Sequence, residues 1–153
     1  MQVRPDDDRA LVAALEQARI ALAEGDVPIG AVVMAPDGLI VGVGRNRREL
    51  DGDPTAHAEV VAIRAAAASV GEWRLSGMTL AVTLEPCPMC AGAAWLSRVD
   101  RIIFGAWNPE YGAAGSLWDV LRDGRLNHRP EVVGGVREQE CSQLLTGFFS
   151  DRR

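Results

Sequence analysis

The sequence predicts an α/β fold: a three-layer α/β/α sandwich around a five-stranded mixed sheet. Segments with apolar residues at helical spacing alternate with short β-branched runs in the order αββαβαβ(α)βα. The first two strand-like runs are joined by turn residues alone, which makes them an antiparallel hairpin. At 153 residues, 48% hydrophobic and 24% charged, the chain has room for one core, and residues 1–153 are expected to form one domain.

The first helix is expected from Asp8 to Glu24, where Leu11, Val12, Leu15, Ala18, Ile20 and Leu22 recur at helical spacing between an Asp cluster and Gly25. Ile29 to Met34 and Leu39 to Gly44 are the hairpin strands, separated by Ala35-Pro36-Asp37-Gly38. Arg45 to Ala56 is polar, carries Gly52 and Pro54, and is expected to be a loop. The second helix covers Ala56 to Val70, and Thr79 to Leu84 is the third strand. Pro86 and Pro88 favour a helix start, and the third helix continues from Ala91 to Ser97. Arg101 to Gly105 is the fourth strand, Ala106 to Ser116 a loop, Leu117 to Leu121 a short helix and Glu131 to Val136 the fifth strand. Arg137 to Phe149 closes the chain as a helix.

No apolar run approaches the length of a membrane span, and Met1 to Asp8 lacks the apolar stretch of a signal peptide, so a cytoplasmic protein is expected. The odd set Cys87, Cys90 and Cys141 suits a reducing compartment and metal or redox chemistry better than a disulfide framework. A net charge of -5 argues against coating nucleic acid through bulk charge, so any RNA binding must be focal. All 16 basic residues are arginine, which supplies forked donors suited to phosphate but is explained first by genomic base composition.

Two motifs carry chemistry: His57-Ala58-Glu59 and Pro86-Cys87-Pro88-Met89-Cys90. Cys87 and Cys90, three apart at a helix start, turn their sulfurs to one face, where the helix N-terminus stabilises thiolates. From His57 to Cys87 the chain runs out roughly 20 Å along ~14 helical residues and returns about 20 Å along ~6 strand residues. Both helix starts therefore meet at one edge. A His-Cys-Cys set leaves the fourth position of a tetrahedral zinc ion to water, whose pKa it lowers. Glu59 then takes the proton without binding the metal, hydroxide adds to an amidine-like carbon, and Glu59 returns protons to the ring nitrogen and the departing ammonia. A Cys-x-x-Cys pair also marks thioredoxin-like redox pairs and halves of structural zinc knuckles. A redox pair does not need His57 and Glu59. A structural site wants a fourth protein ligand, for which the only other cysteine or histidine candidates are Cys141 and His128. Cys141 reads instead as a buried core thiol and His128 as a surface or structural histidine.

His-x-Glu with Pro-Cys-x-x-Cys is the general signature of the cytidine deaminase superfamily, whose mechanism is that just given. Gly25 to Val32, Asp53 to Glu59, Thr83 to Ala93 and Gly112 to Leu117 further resemble bacterial tRNA-specific adenosine deaminases of the TadA family, over about Leu11 to Phe149. The resemblance implies a cytidine deaminase-like fold and deamination of adenosine to inosine at the wobble position of a tRNA anticodon. It implies one zinc ion per subunit held by His57, Cys87 and Cys90, with Glu59 as general acid and base, and a homodimer that binds the anticodon stem-loop. Asn46 would hold the flipped purine, although an asparagine after a strand is also an ordinary turn former. Ala58, Asn108, Phe149, Arg152 and Arg153 complete the implied substrate contacts. Arg45, Arg47 and Arg48 either meet phosphates or are simply solvated. Ser150 and Asp151 lack the cationic character of the resembled tail, and core packing accounts for at least one of Phe148 and Phe149. Asn108 stands where the family commonly places an acid able to accept from a ribose 2′-hydroxyl, which predicts weaker discrimination of RNA from DNA beside the target.

Two other readings compete: a free-base or nucleoside deaminase of guanine or cytosine type, and a non-catalytic zinc-stabilised RNA-binding module. Asn46 and Gly112 to Leu117 speak against the first, and Glu59 with an open coordination position against the second.

Overall fold

In this computed structural model, which describes residues 2–151, helix α1 spans Pro5–Ala23 and strands β1 (Gly30–Met34) and β2 (Ile40–Arg45) follow as a hairpin. A single turn α2 (Arg48–Asp51) leads to α3 (Ala58–Val70), β3 (Thr79–Leu84), α4 (Pro88–Leu96) and β4 (Arg101–Ala106). A 3-10 turn at Val120–Arg122, strand β5 (Glu131–Val133) and α5 (Glu138–Asp151) complete the chain. The sheet order is β2-β1-β3-β4-β5, with β1 antiparallel to both neighbours and β3, β4 and β5 parallel, so the sheet is mixed as expected.

Alternation along the strands divides the core into two layers. Ala31, Val33, Leu80, Val82, Ile102 and Phe104 face α3 and α4, whereas Val32, Ala81 and Ile103 face α1 and α5. The α3 layer is held close by missing side chains. A Cβ at Gly44 would lie 2.3 Å from the Ala58 carbonyl oxygen, and one at Gly42 would lie 2.5 Å from that of Ala62. Glycine on the strand and alanine on the helix thus bring the first turn of α3 against β2.

Four boundaries differ from expectation for identifiable reasons. Helix α1 starts at Pro5 because proline suits the first helical position and the Asp7 carboxylate accepts from Arg4 N at 2.7 Å. The expected loop after β2 contains α2, because the buried Asp26 carboxylate accepts from Glu49 N at 2.9 Å and Leu50 N at 3.3 Å. Strand β5 stops at Val133, where Gly134 makes room for the Phe104 ring and Gly135 adopts φ +81°. The short helix expected over Leu117 to Leu121 is the later 3-10 turn; Leu117 N and Trp118 N are instead bonded to Gly112 O, both at 3.0 Å.

Candidate active site

His57 and Cys87 occupy the same kind of position, each immediately before a helix, α3 and α4 respectively, in an extended conformation and without a side-chain capping bond. Because both helices start at the same edge of the sheet, His57 Nδ1 lies 3.7 Å from Cys87 Sγ and 3.5 Å from Cys90 Sγ. All three donor atoms fall within 4.8 Å of one another. Ligand atoms around a tetrahedral zinc ion at ordinary Zn–N and Zn–S distances stand about 3.5 to 3.8 Å apart, so the donor set and its spacing fit zinc. Among the described residues this is the one such cluster of three.

The electrostatics suit a cation. A hydrogen bond from Cys90, reinforced by His57, pulls the Cys87 thiol down to about 4, so it is a thiolate at neutral pH. Cys90, donating into that thiolate and buried, is pushed up, and the Cys87 hydrogen bond raises His57. Beside them Glu59 is 4% exposed, and burial raises its carboxyl to about 7, where one group both accepts and returns a proton near neutrality.

His57, Glu59 and Cys87 open into a cavity of about 730 Å³, ample for a nucleoside. Asn46, Ala58, Asn108 and Phe149 all line it. Asn46 is buried and its Oδ1 accepts from Arg48 N at 3.0 Å, so it forms the anticipated turn and faces the cavity as well. Asn108 Oδ1 accepts from Tyr111 N at 3.1 Å. Phe149 is half exposed and packs edge-on to Phe148, with centroids 5.3 Å apart. Arg152 and Arg153 lie outside the described residues. The three arginines around Asn46 separate by environment. Arg45 is bonded to Glu24 and Arg47 to Asp51, each through two nitrogens, while Arg48 lines the cavity. Cys141 is buried as expected, and His128 Nε2 bonds the Val99 carbonyl at 2.7 Å, a structural role.

Sequence reasoning missed Glu85. Its carboxylate, 1% exposed, accepts from Asn108 N and Ala114 N at 3.0 Å, Ser116 N at 2.9 Å and the Ser116 hydroxyl. The available signal was an acidic residue directly after the apolar strand Thr79–Leu84, where the chain is still inside the protein. Asp26, which builds α2, lies in the polar turn Glu24-Gly25-Asp26 after α1 and read as an ordinary turn residue, and Tyr111, on the cavity wall, gave no signal at all.

Residues 4–106 match the cytidine and deoxycytidylate deaminase zinc-binding region. The chain is 46% identical over 147 residues to a tRNA-specific adenosine deaminase of Bacillus subtilis, covering 96% of this chain and 91% of that protein. It resembles a solved structure of a tRNA:A34 deaminase that performs A-to-I editing at the wobble position of transfer RNA, with a TM-score of 0.85 and 39% identity over 90% of this chain and 99% of that one. A guanine deaminase of Bacillus subtilis is similar over 74% of this chain and 72% of its own, at 35% identity and a TM-score of 0.64. No helix among the described residues is long and apolar enough to cross a membrane. With the histidine, the two cysteines and the buried glutamate gathered at two helix starts, the chain belongs to the cytidine and deoxycytidylate deaminase family of zinc-binding enzymes, among the tRNA-specific adenosine deaminases.

Proposed function

We propose that the protein hydrolytically deaminates adenosine to inosine at the wobble position of a tRNA anticodon. The observation that carries the chemistry is Glu59, buried beside a three-donor zinc set. The substrate rests on similarity across nearly the full length to tRNA-specific adenosine deaminases. His57, Cys87 and Cys90 would hold one zinc ion per subunit, which when bound lowers the pKa of water and polarises it for attack. Glu59 takes one proton from water and delivers it to the purine ring nitrogen, then takes the second from the hydroxyl of the tetrahedral adduct and delivers it to the amine that leaves as ammonia, and so ends as it began. The water oxygen becomes the inosine carbonyl, and the C–N bond to the exocyclic amine is the bond that breaks. Asn46 orients the purine with its amide, and Ala58 forms part of the wall against which the flipped base lies.

Asn108, Arg48 and Phe149, on the wall of the same cavity, are read as contacts to the nucleotides around the target; Arg152 and Arg153, assigned the same role by resemblance, lie outside the described residues. The homodimer is carried over from the resemblance alone. Free cysteines Cys87, Cys90 and Cys141 support a cytoplasmic location. The test is mass spectrometry of an anticodon stem-loop after incubation with zinc-loaded protein. Inosine at the wobble position is expected, and Glu59→Ala should lower the rate by about 10²- to 10⁴-fold while zinc stays bound. Ammonia release from free guanine or cytosine, with no inosine in the stem-loop, would establish the free-base reading instead.

A further inference from the structure

The segment from Asn108 to Ser116 is built with more care than deamination chemistry alone requires. Glu85, 1% exposed, collects all four of its donors from this one segment: the N–H groups of Asn108, Ala114 and Ser116 and the Ser116 hydroxyl. A carboxylate removed from water needs such donors, and their convergence fixes the backbone that supplies them. Gly112 closes over it so tightly that a Cβ there would lie 2.4 Å from the Glu85 carboxyl carbon.

The constraint passes along the segment through Asn108. Its N–H is given to Glu85, its carbonyl accepts from Gly112 N at 2.8 Å, and its Oδ1 accepts from Tyr111 N at 3.1 Å. The residue held at the end of this chain, Tyr111, lines the cavity and is 61% exposed. Trp107 nearby has a different setting, packed edge-on to Phe104 with centroids 4.8 Å apart, and serves as wall. An exposed aromatic ring whose backbone is fixed at the mouth of a base pocket is a surface on which a neighbouring, splayed base stacks.

We propose that Tyr111 is the platform for the base adjacent to the target nucleotide, and that Glu85 and Asn108 are positioning residues that hold it at the mouth of the cavity. This rests on the reading of the substrate as a single-stranded RNA loop. Stacking of one base is worth about 5- to 150-fold in affinity. Because it is made equally before and during the reaction, it is felt in KM with kcat retained.

The experiment measures KM, kcat and zinc content on an anticodon stem-loop for the unsubstituted protein, Tyr111→Ala, Tyr111→Phe, Glu85→Gln and the Tyr111→Ala/Glu85→Gln pair. Tyr111→Ala is expected to raise KM at least about fivefold with kcat within about twofold, and Tyr111→Phe to restore most of the difference. Glu85→Gln sets an amide N–H against the donors of the segment and should also raise KM with zinc retained. The pair should be little worse than Tyr111→Ala, since one residue acts through the other. An unchanged KM in Tyr111→Ala overturns the platform, and additive losses in the pair overturn the positioning role of Glu85. If Glu85→Gln loses zinc or fails to fold, Ser116→Ala, which removes the hydroxyl donor to the Glu85 carboxylate at a residue away from the cavity wall, runs the same cycle. Absence of inosine with the unsubstituted, zinc-loaded protein overturns the RNA reading itself, whereas inosine formed equally well by Tyr111→Ala overturns only the platform.

Discussion

Asn108 presents an amide where the related family commonly has an acid, and its Oδ1 already serves the Tyr111 N–H. A carboxylate would keep that bond and add charge and spare lone pairs toward a ribose 2′-hydroxyl, which DNA lacks. Asn108→Asp is therefore expected to raise the ratio of activity on an RNA loop to that on the same loop in DNA by roughly fivefold. Equal changes on both substrates would show that no ribose hydroxyl is read there. Cys141 supplies a different kind of prediction. Burial, with Glu140 adding to it and a backbone hydrogen bond at Ala106, Arg137 and Arg19 opposing, raises its thiol to about 11. Since the folded value lies above the ordinary one of about 8.5, its contribution to stability is complete below pH ~8.5 and is lost as pH rises toward the folded value. Thermal midpoints measured from pH 8 to 11 should fall, and Cys141→Ala should flatten that slope even where it lowers stability overall. A slope unchanged by the substitution would assign it to other groups.

The elements matter for where they begin. Since a Cβ at Gly44 would meet the Ala58 carbonyl at 2.3 Å, Gly44→Ala is expected to lift the first turn of α3, which carries Glu59 and adjoins His57. Urea denaturation should report a loss of about 1–3 kcal/mol, accompanied by weakened zinc binding. Gly92→Ala in α4, where a Cβ meets nothing within 4 Å, is the control and should be neutral or gain about 0.5–1 kcal/mol from helix propensity. Indistinguishable behaviour of the two variants would sink the close-packing argument. The starts of α3 and α4 were readable in the sequence because apolar periodicity, prolines and ligand spacing are all local. Turn α2 and the Asn108–Ser116 segment were not, because each is organised by a carboxylate over 20 residues away, from Asp26 to Glu49 and from Glu85 to Asn108. A polar stretch whose backbone donors are satisfied by a distant side chain has no periodicity of its own, so it reads as plain loop.

Over the whole molecule, the net charge of -5 fits a surface in which arginines are largely committed. Arg45, Arg47, Arg101, Arg125 and Arg137 all bond carboxylates; Arg101 reaches Asp7 from an almost wholly buried position and ties α1 to the end of the sheet. Binding of an anticodon stem-loop should accordingly depend weakly on salt. A plot of log affinity against log salt is expected to have a slope no steeper than roughly -2, corresponding to about three phosphates at ~0.7 each. A slope steeper than about -5 would mean that a broad cationic surface, rather than a few contacts at the cavity mouth, carries affinity. The order of elements, the mixed sheet between helices and the His57-Cys87-Cys90 cluster followed from sequence pattern, whereas the strand order within the sheet and the commitment of Arg45 and Arg47 to Glu24 and Asp51 needed the folded chain. The metal donors and Glu59 belong to the starts of two core helices, while Tyr111, Asn108 and Arg48 belong to surface segments anchored by Glu85 and Asp26. Heredity can therefore rewrite those two segments residue by residue while the hydrolytic machinery is passed on intact, so that a lineage can exchange one nucleobase substrate for another without first becoming inactive.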